Sequence, residues 1–240
     1  MRILNWPSPA DSVANSKNPL VLTQAETGIV QASPAESIVA AAVECLRKGG
    51  LVALPTDTLY GLAAAASNDA GVRRLFEAKK RPLGSPLPVL IADLKQVESI
   101  AARVPPAAMR LAERFWPGPL TLVFERSPRF RSLALAGGES VALRVPDHDV
   151  PRLIVRALGE PITGTSANLS GRPPATTVDA VARQLGESVN LAINAGPCAI
   201  GVESTVIDFS GDVPRLLREG ALSRGTLEAV LGTPLLDAKE

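Results

Sequence analysis

Lys79 and Arg81 flank Lys80 and precede Pro82, where a helix-forming run stops. Arginine presents a planar fork of donors that matches phosphate and carboxylate oxygens, and lysine adds a compact charge, so the pair could converge on one anionic ligand. Cations at a helix C-terminus also offset the helix dipole, and on this feature alone both readings stand. Arg144 lies inside the apolar run 141–146, where a buried guanidinium needs a partner. Asp147 is the neighbouring protein carboxylate, and a ligand carboxylate is the other choice.

Three loops add neutral polar groups. Pro55-Thr-Asp-Thr-Leu-Tyr-Gly61 follows an apolar run directly. Its hydroxyls can donate and accept, which suits a zwitterion or a phosphate, although Thr and Asp also cap turns, and taken singly the turn is the better reading. Residues 163–170 carry several hydroxyls and Asn168 out of another apolar run, and Gly171, Pro173 and Pro174 oppose a helix straight after it. The third set joins Gly201-Val-Glu-Ser-Thr205 with Arg218-Glu-Gly220. Together the loops offer cations and hydroxyls without an evident nucleophile or general base. That pattern fits catalysis by positioning and charge stabilisation, as in nucleotidyl transfer.

Other chemistries find little support. There is no Gly-x-x-x-x-Gly-Lys-Ser/Thr loop and no Gly-x-Gly-x-x-Gly after the first apolar run. Gly164-Thr-Ser-Ala-Asn168 lacks the last glycine of a nucleophile elbow, and His148, the one histidine, precedes that serine. One histidine with Cys45 and Cys198 argues against a zinc site or a disulfide framework. A formal charge of +1 argues against a basic coat for nucleic acid. No apolar run approaches the roughly 18 residues of a membrane span. Asn5, Trp6, Pro7 and Pro9 interrupt any signal-peptide core, so the expected compartment is the cytoplasm.

The elements that must hold these residues follow from periodicity. Of 240 residues, 46% are hydrophobic but only 3% aromatic, so the core must be built from Ala, Val, Leu and Ile. Residues 1–33 are expected to form a partly irregular extension with one short strand near 20–22, residues 34–232 a catalytic domain, and 233–240 a short tail. Ser33, Pro34 and Glu36 form a helix start, and Ile38, Val39, Ala42, Val43 and Leu46 recur at helical spacing until Gly49-Gly50. Further helices are expected over 69–79, 105–115, 151–158 and 178–185, and after Ser223, with a short one capped by Asp93. Strands are expected over 51–55, 87–91, 120–125, 141–145, 161–165, 191–194, 205–209 and 215–218. Early alternation and late clustering of strands imply an α/β fold with a mixed, twisted sheet, whose ligands gather at loops leaving strand ends.

These runs also resemble a known family. Gly49-Gly-Leu-Val-Ala-Leu-Pro-Thr-Asp-Thr-Leu-Tyr-Gly-Leu62 is similar to the opening signature of threonylcarbamoyl-AMP synthases, the YrdC-type domain. Lys79-x-Arg81-Pro82, Trp116-Pro-Gly-Pro-Leu-Thr121, Arg144-x-Pro146, Ser166-Ala-Asn168-Leu-Ser-Gly, Gly201-Val-Glu-Ser-Thr-Val206 and Leu217-Arg218-x-Gly220 follow in the family's order. The resemblance implies a YrdC-like open twisted mixed sheet with flanking helices around a concave basic cavity. It implies that L-threonine, bicarbonate and ATP give threonylcarbamoyl-adenylate and pyrophosphate, with Mg²⁺ arriving on the ATP phosphates. Downstream machinery would transfer the threonylcarbamoyl group to tRNA. Lys79, Arg81, Ser140, Ser166, Asn168, Pro174 and Arg218 are the implied ATP-binding residues, with Lys79 and Arg81 catalytic. Thr58, Arg144, Gly164 and Ser204 are the implied threonine-binding residues. Leu90 stands where many relatives carry a histidine that contacts threonine, and the cover that longer relatives draw from a second domain is expected from residues 1–33 or from none of this chain. Two other readings are an RNA-binding module, with weak contact to tRNA or double-stranded RNA, and a paralogue using another carbamoyl substrate.

Overall fold

Ser33 opens the first helix, Pro34–Arg47, as its sequence requires: its hydroxyl accepts from Glu36 N while the Glu36 carboxylate accepts from Ser33 N, a closed capping box. Gly49, at φ +73°, turns the chain out of that helix. The structure is a computed structural model that describes residues 1–8 and 32–238. The strand expected near 20–22 lies outside the described residues. No helix among the described residues is long and apolar enough to cross a membrane.

The strands form two mixed sheets where one was expected. The five-stranded sheet runs β1 (Arg2–Asn5), β9 (Leu191–Asn194), β2 (Val52–Leu54), β3 (Gly61–Ala63) and β8 (Thr165–Ser166). The seven-stranded sheet runs β12 (Leu236–Asp237), β11 (Arg215–Arg218), β10 (Thr205–Asp208), β5 (Leu120–Glu125), β6 (Ser140–Arg144), β4 (Val89–Leu90) and β7 (Ile162–Thr163). The strand expected over 161–165 is divided between them at Gly164. β7 pairs antiparallel with β4, and β8 pairs antiparallel with β3. A Cβ on Gly164 would sit 2.6 Å from Leu90 Cγ, so the glycine allows the chain to cross between sheets against that side chain.

The partly irregular extension and the short tail each contain a strand outside the expected set. β1 pairs parallel with β9, and β12 pairs parallel with β11. Both lie at sheet edges and are largely exposed, so neither carries the apolar alternation by which a strand is recognised. The third helix of the expected list starts earlier, as Asp149–Leu158, because His148 Nδ1 accepts from Val150 N at 3.2 Å and caps it.

The two sheets are covered differently, and this positions the site. In the five-stranded sheet Val52, Leu54, Ala63, Leu191 and Ile193 face the helices Pro34–Arg47 and Asp149–Leu158. Leu51, Ala53, Leu62 and Ala192 face Asp69–Lys79 and Val178–Leu185. Both faces are therefore apolar. The seven-stranded sheet buries one face, with Leu120, Leu122, Phe124, Val141, Leu143 and Ile207 packed on Pro106–Phe115 and Arg224–Leu231. Alternation sends Thr121, Ala142, Arg144 and Val206 to the opposite face, which borders a cavity.

Candidate active site

The cavity holds about 260 Å³ between that face, the loops after β2 and β7, strand β8 and the segment 81–90, and three arginines and Glu203 are in its lining. Arg144 is 7% exposed, and its guanidinium is held by donated bonds on every nitrogen. Nε donates to Gly118 O at 3.0 Å, Nη1 to Thr58 Oγ1 at 2.8 Å and Nη2 to Asp57 Oδ1 at 2.5 Å. A protein carboxylate does partner Arg144, but it is Asp57 and not the neighbouring Asp147, because β2 delivers its loop from the other sheet; Asp147 contributes only its N–H to Asp57 Oδ1 at 3.1 Å. A guanidinium has five N–H groups, so two remain for a ligand.

The 55–61 loop is a side-chain-capped turn that also borders the cavity. Thr56 Oγ1 donates to Leu59 O at 2.7 Å and accepts from the N–H groups of Thr58 and Leu59, which is a side-chain-capped turn. The turn leaves Thr58 bordering the cavity beside Arg144. Ser204 borders it from another direction, sharing a 2.8 Å hydrogen bond with Thr121. Arg218 donates to Ser204 O through Nε at 3.1 Å and Nη2 at 2.9 Å, and to Glu203 Oε2 through Nη1 at 2.7 Å. Gly220 lets these strands close up, since a Cβ there would lie 2.2 Å from Glu203 O.

Arg81 borders the cavity, pinned by the loop that follows it: Nη2 donates to Pro86 O at 3.1 Å and Nε reaches Ser85 O at 3.4 Å. Lys79 lies deeper. It is 2% exposed and absent from the lining, and Nζ donates to Ser166 O and, at 2.7 Å, to Asn168 O. It therefore grips the 163–170 loop from beneath and is more than a cation offsetting a dipole. Burial, then the nearby Arg81, lower its amine to about 8, with Glu203 opposing. Asn168 is buried too, and its Nδ2 donates to Arg172 O at 2.7 Å and Leu169 O at 3.0 Å, which knits the loop together.

Of the expected site residues, Thr58, Arg81, Arg144, Gly164, Ser166, Ser204 and Arg218 border the one cavity. Lys79 and Asn168 support its wall. Ser140 lies outside the lining but on the same strand face as Ala142 and Arg144, two and four residues along. Pro174 is exposed on the loop before Val178–Leu185 and does not border the cavity. Asp57, Thr121 and Glu203 were given no site role from sequence, although each falls inside a quoted motif. Their signal was a polar residue next to an apolar run, which a capped turn also produces.

An α/β protein with an arginine-rich, hydroxyl-lined cavity between two sheets is suited to holding an anionic or zwitterionic ligand by fixed donors. The family model of Sua5, yciO and yrdC, described as telomere recombination, matches residues 44–220. The chain belongs to this family. A threonylcarbamoyl-AMP synthase of Bacillus subtilis is 43% identical over 195 residues, covering 81% of this chain and 56% of that protein. The crystal structure of P. abyssi Sua5 complexed with L-threonine is 41% identical with a TM-score of 0.79, covering 82% of this chain and 58% of that one. E. coli YciO is 27% identical with a TM-score of 0.71, covering 80% of this chain and 93% of that one. The chain thus spans little more than half the length of the first two.

Proposed function

We propose that this chain carries the catalytic site of a threonylcarbamoyl-AMP synthase, making threonylcarbamoyl-adenylate and pyrophosphate from L-threonine, bicarbonate and ATP. The observation that carries this reading is the Arg144 fork: two N–H groups remain free beside Thr58 and Ser204, in one cavity with Arg81 and Arg218. The fork suits the amino acid's carboxylate, with the Thr58 and Ser204 hydroxyls and the Gly164 backbone as its neutral neighbours. Arg81 and Arg218 suit phosphate oxygens, and Ser166 the nucleoside, with Ser140 and Pro174 as outlying contacts.

In this reading the threonine ammonium gives up one proton, and the resulting amine bonds to the bicarbonate carbon with loss of water, leaving a carbamate. A carbamate oxygen then bonds to the α-phosphorus of ATP. The bond from that phosphorus to the bridging oxygen breaks, and its electron pair leaves with pyrophosphate. The arginines stabilise charge gathering on the phosphate oxygens, and Lys79 holds the 163–170 loop in place. Mg²⁺ belongs on the ATP phosphates, where it spreads their charge. The lining's carboxylate, Glu203, is already paired with Arg218, and among the described residues no group of three His, Cys, Asp or Glu could hold a metal. The product would pass to machinery that modifies tRNA in the cytoplasm.

Pyrophosphate release from ATP, followed with and without L-threonine and bicarbonate, tests the reading. Strict dependence on both is expected, and release indifferent to threonine would reject it. Arg81→Ala should raise the KM for ATP by about 10- to 100-fold, the worth of a charge-assisted phosphate contact. Leu90, which is buried in the cavity wall, favours a second reading in which the same chemistry acts on a more apolar amino acid. Valine or isoleucine outcompeting threonine in the same assay would support it.

A further inference from the structure

Asp57 is one of the least exposed charges in the structure, and its two oxygens behave differently. Its side chain and that of Arg144 are each 8% exposed. Oδ1 accepts both Arg144 Nη2 at 2.5 Å and Asp147 N at 3.1 Å, whereas Oδ2 is buried without a hydrogen-bond partner among the described residues. The backbone around Asp57 is fixed as well: its carbonyl accepts from Ile200 N at 3.0 Å and the Thr58 carbonyl from Gly201 N at 3.0 Å. Asp57 leaves β2 in the five-stranded sheet and Arg144 ends β6 in the seven-stranded one, so their contact clasps the two sheets across the cavity.

A negative charge beside Arg144 opposes the binding of a ligand carboxylate to the same guanidinium. If neutralisation were the only need, Oδ2 would be expected to find a donor as well. We propose that Asp57 is a positioning residue, which aims the two free N–H groups of Arg144 at the carboxylate of the amino-acid substrate through the directional bond to Oδ1. The proposal rests on the amino-acid-activating function above. Oδ1 does the aiming, and the formal charge works against binding.

The orphaned Oδ2 makes a clean test available, because Asp57→Asn removes the charge while keeping an acceptor for Arg144 and Asp147. Steady-state pyrophosphate release and thermal unfolding are measured for the full chain, Asp57→Asn and Asp57→Ala. Asp57→Ala should raise the KM for threonine by about 10- to 100-fold and leave the KM for ATP within about twofold. Asp57→Asn should melt earlier, since a buried guanidinium loses its counter-charge, yet its KM for threonine should be equal to or below that of the wild type. A merely structural role would make both KM values follow the melting temperature in both variants. The proposal is overturned if Asp57→Asn raises the threonine KM as Asp57→Ala does, or if Asp57→Ala leaves it unchanged. Should Asp57→Ala not fold, Asp57→Ser replaces it, because a serine hydroxyl is too short to reach Arg144.

A second measurement separates this from the functional reading. If the wild type shows no threonine-dependent release, that reading fails. The aim of Arg144 is then read from arginine-selective nitrogen NMR. Hindered Nη rotation in the wild type and Asp57→Asn but free rotation in Asp57→Ala supports the clasp, and equal rotation in all three rejects it.

Discussion

Lys79 is the residue whose placement most changes its chemistry. Its sequence position suits a cation aimed at phosphate or offsetting a helix end, and in the fold its amine holds two backbone carbonyls of the 163–170 loop. With its folded value lowered to about 8 from 10.5, the unfolded chain binds more protons than the folded one between those values. Stability attributable to Lys79 therefore rises with pH across that window, and the penalty of a buried charge is fully present below it. A triphosphate arriving nearby would favour the charged form and raise that value again. ATP binding between about pH 8 and 10 should thus take up protons, measured by calorimetry in buffers of different ionisation enthalpy. Lys79→Gln should abolish the uptake, and uptake unchanged in that variant would place the titrating group elsewhere. Glu203 and Arg218 form a more open pair, each side chain 42% exposed, so their attraction is screened. Glu203→Gln should free Arg218 for phosphate and lower the KM for ATP by a small factor, and a higher KM would mean that the pair holds Arg218 in its working pose.

The elements that set the site are the two sheets and the crossing between them. Period-two alternation along β5, β6 and β10 is legible in the sequence once one face is known to be apolar, and it sends Thr121, Ala142, Arg144 and Val206 to one side. The crossing at Gly164 is less legible, because residues 161–165 read as one short apolar strand. A glycine inside a strand pattern is the available signal, since it often marks a close backbone approach. Gly164→Ala would force its Cβ into Leu90, 2.6 Å away, and should destabilise the fold by about 1–3 kcal/mol in denaturant unfolding. Leu90→Ala in the same chain should recover part of that loss, and an additive double variant would show that the two residues do not share the space.

At the scale of the whole molecule, the N-terminal strand joins the domain at an edge. β1 is hydrogen-bonded along β9, and none of residues 1–8 borders the site cavity. Deleting residues 1–5 should lower stability by about 1 kcal/mol per lost hydrogen bond while leaving threonine and ATP affinities unchanged. A loss of affinity at unchanged stability would give this strand a part in the site.

Local chemistry made much of this readable without coordinates. The capping box at Ser33, the helical spacing from Ile38 to Leu46, the helix 69–79 ending at Lys79 and the strands 120–125 and 191–194 depend on side chains a few residues apart. The ordered motifs named the cavity residues for a similar reason, since each sits at or near an end of a helix or strand. Contacts between distant segments were beyond that reach. Asp57 meets Arg144 across 87 residues, and Lys79 meets the Ser166 and Asn168 carbonyls across 87 and 89. Whether a buried charge faces a ligand or a protein partner depends on which loops the two sheets bring together. No local spacing encodes that, because the partner's identity follows from the packing of both sheets at once.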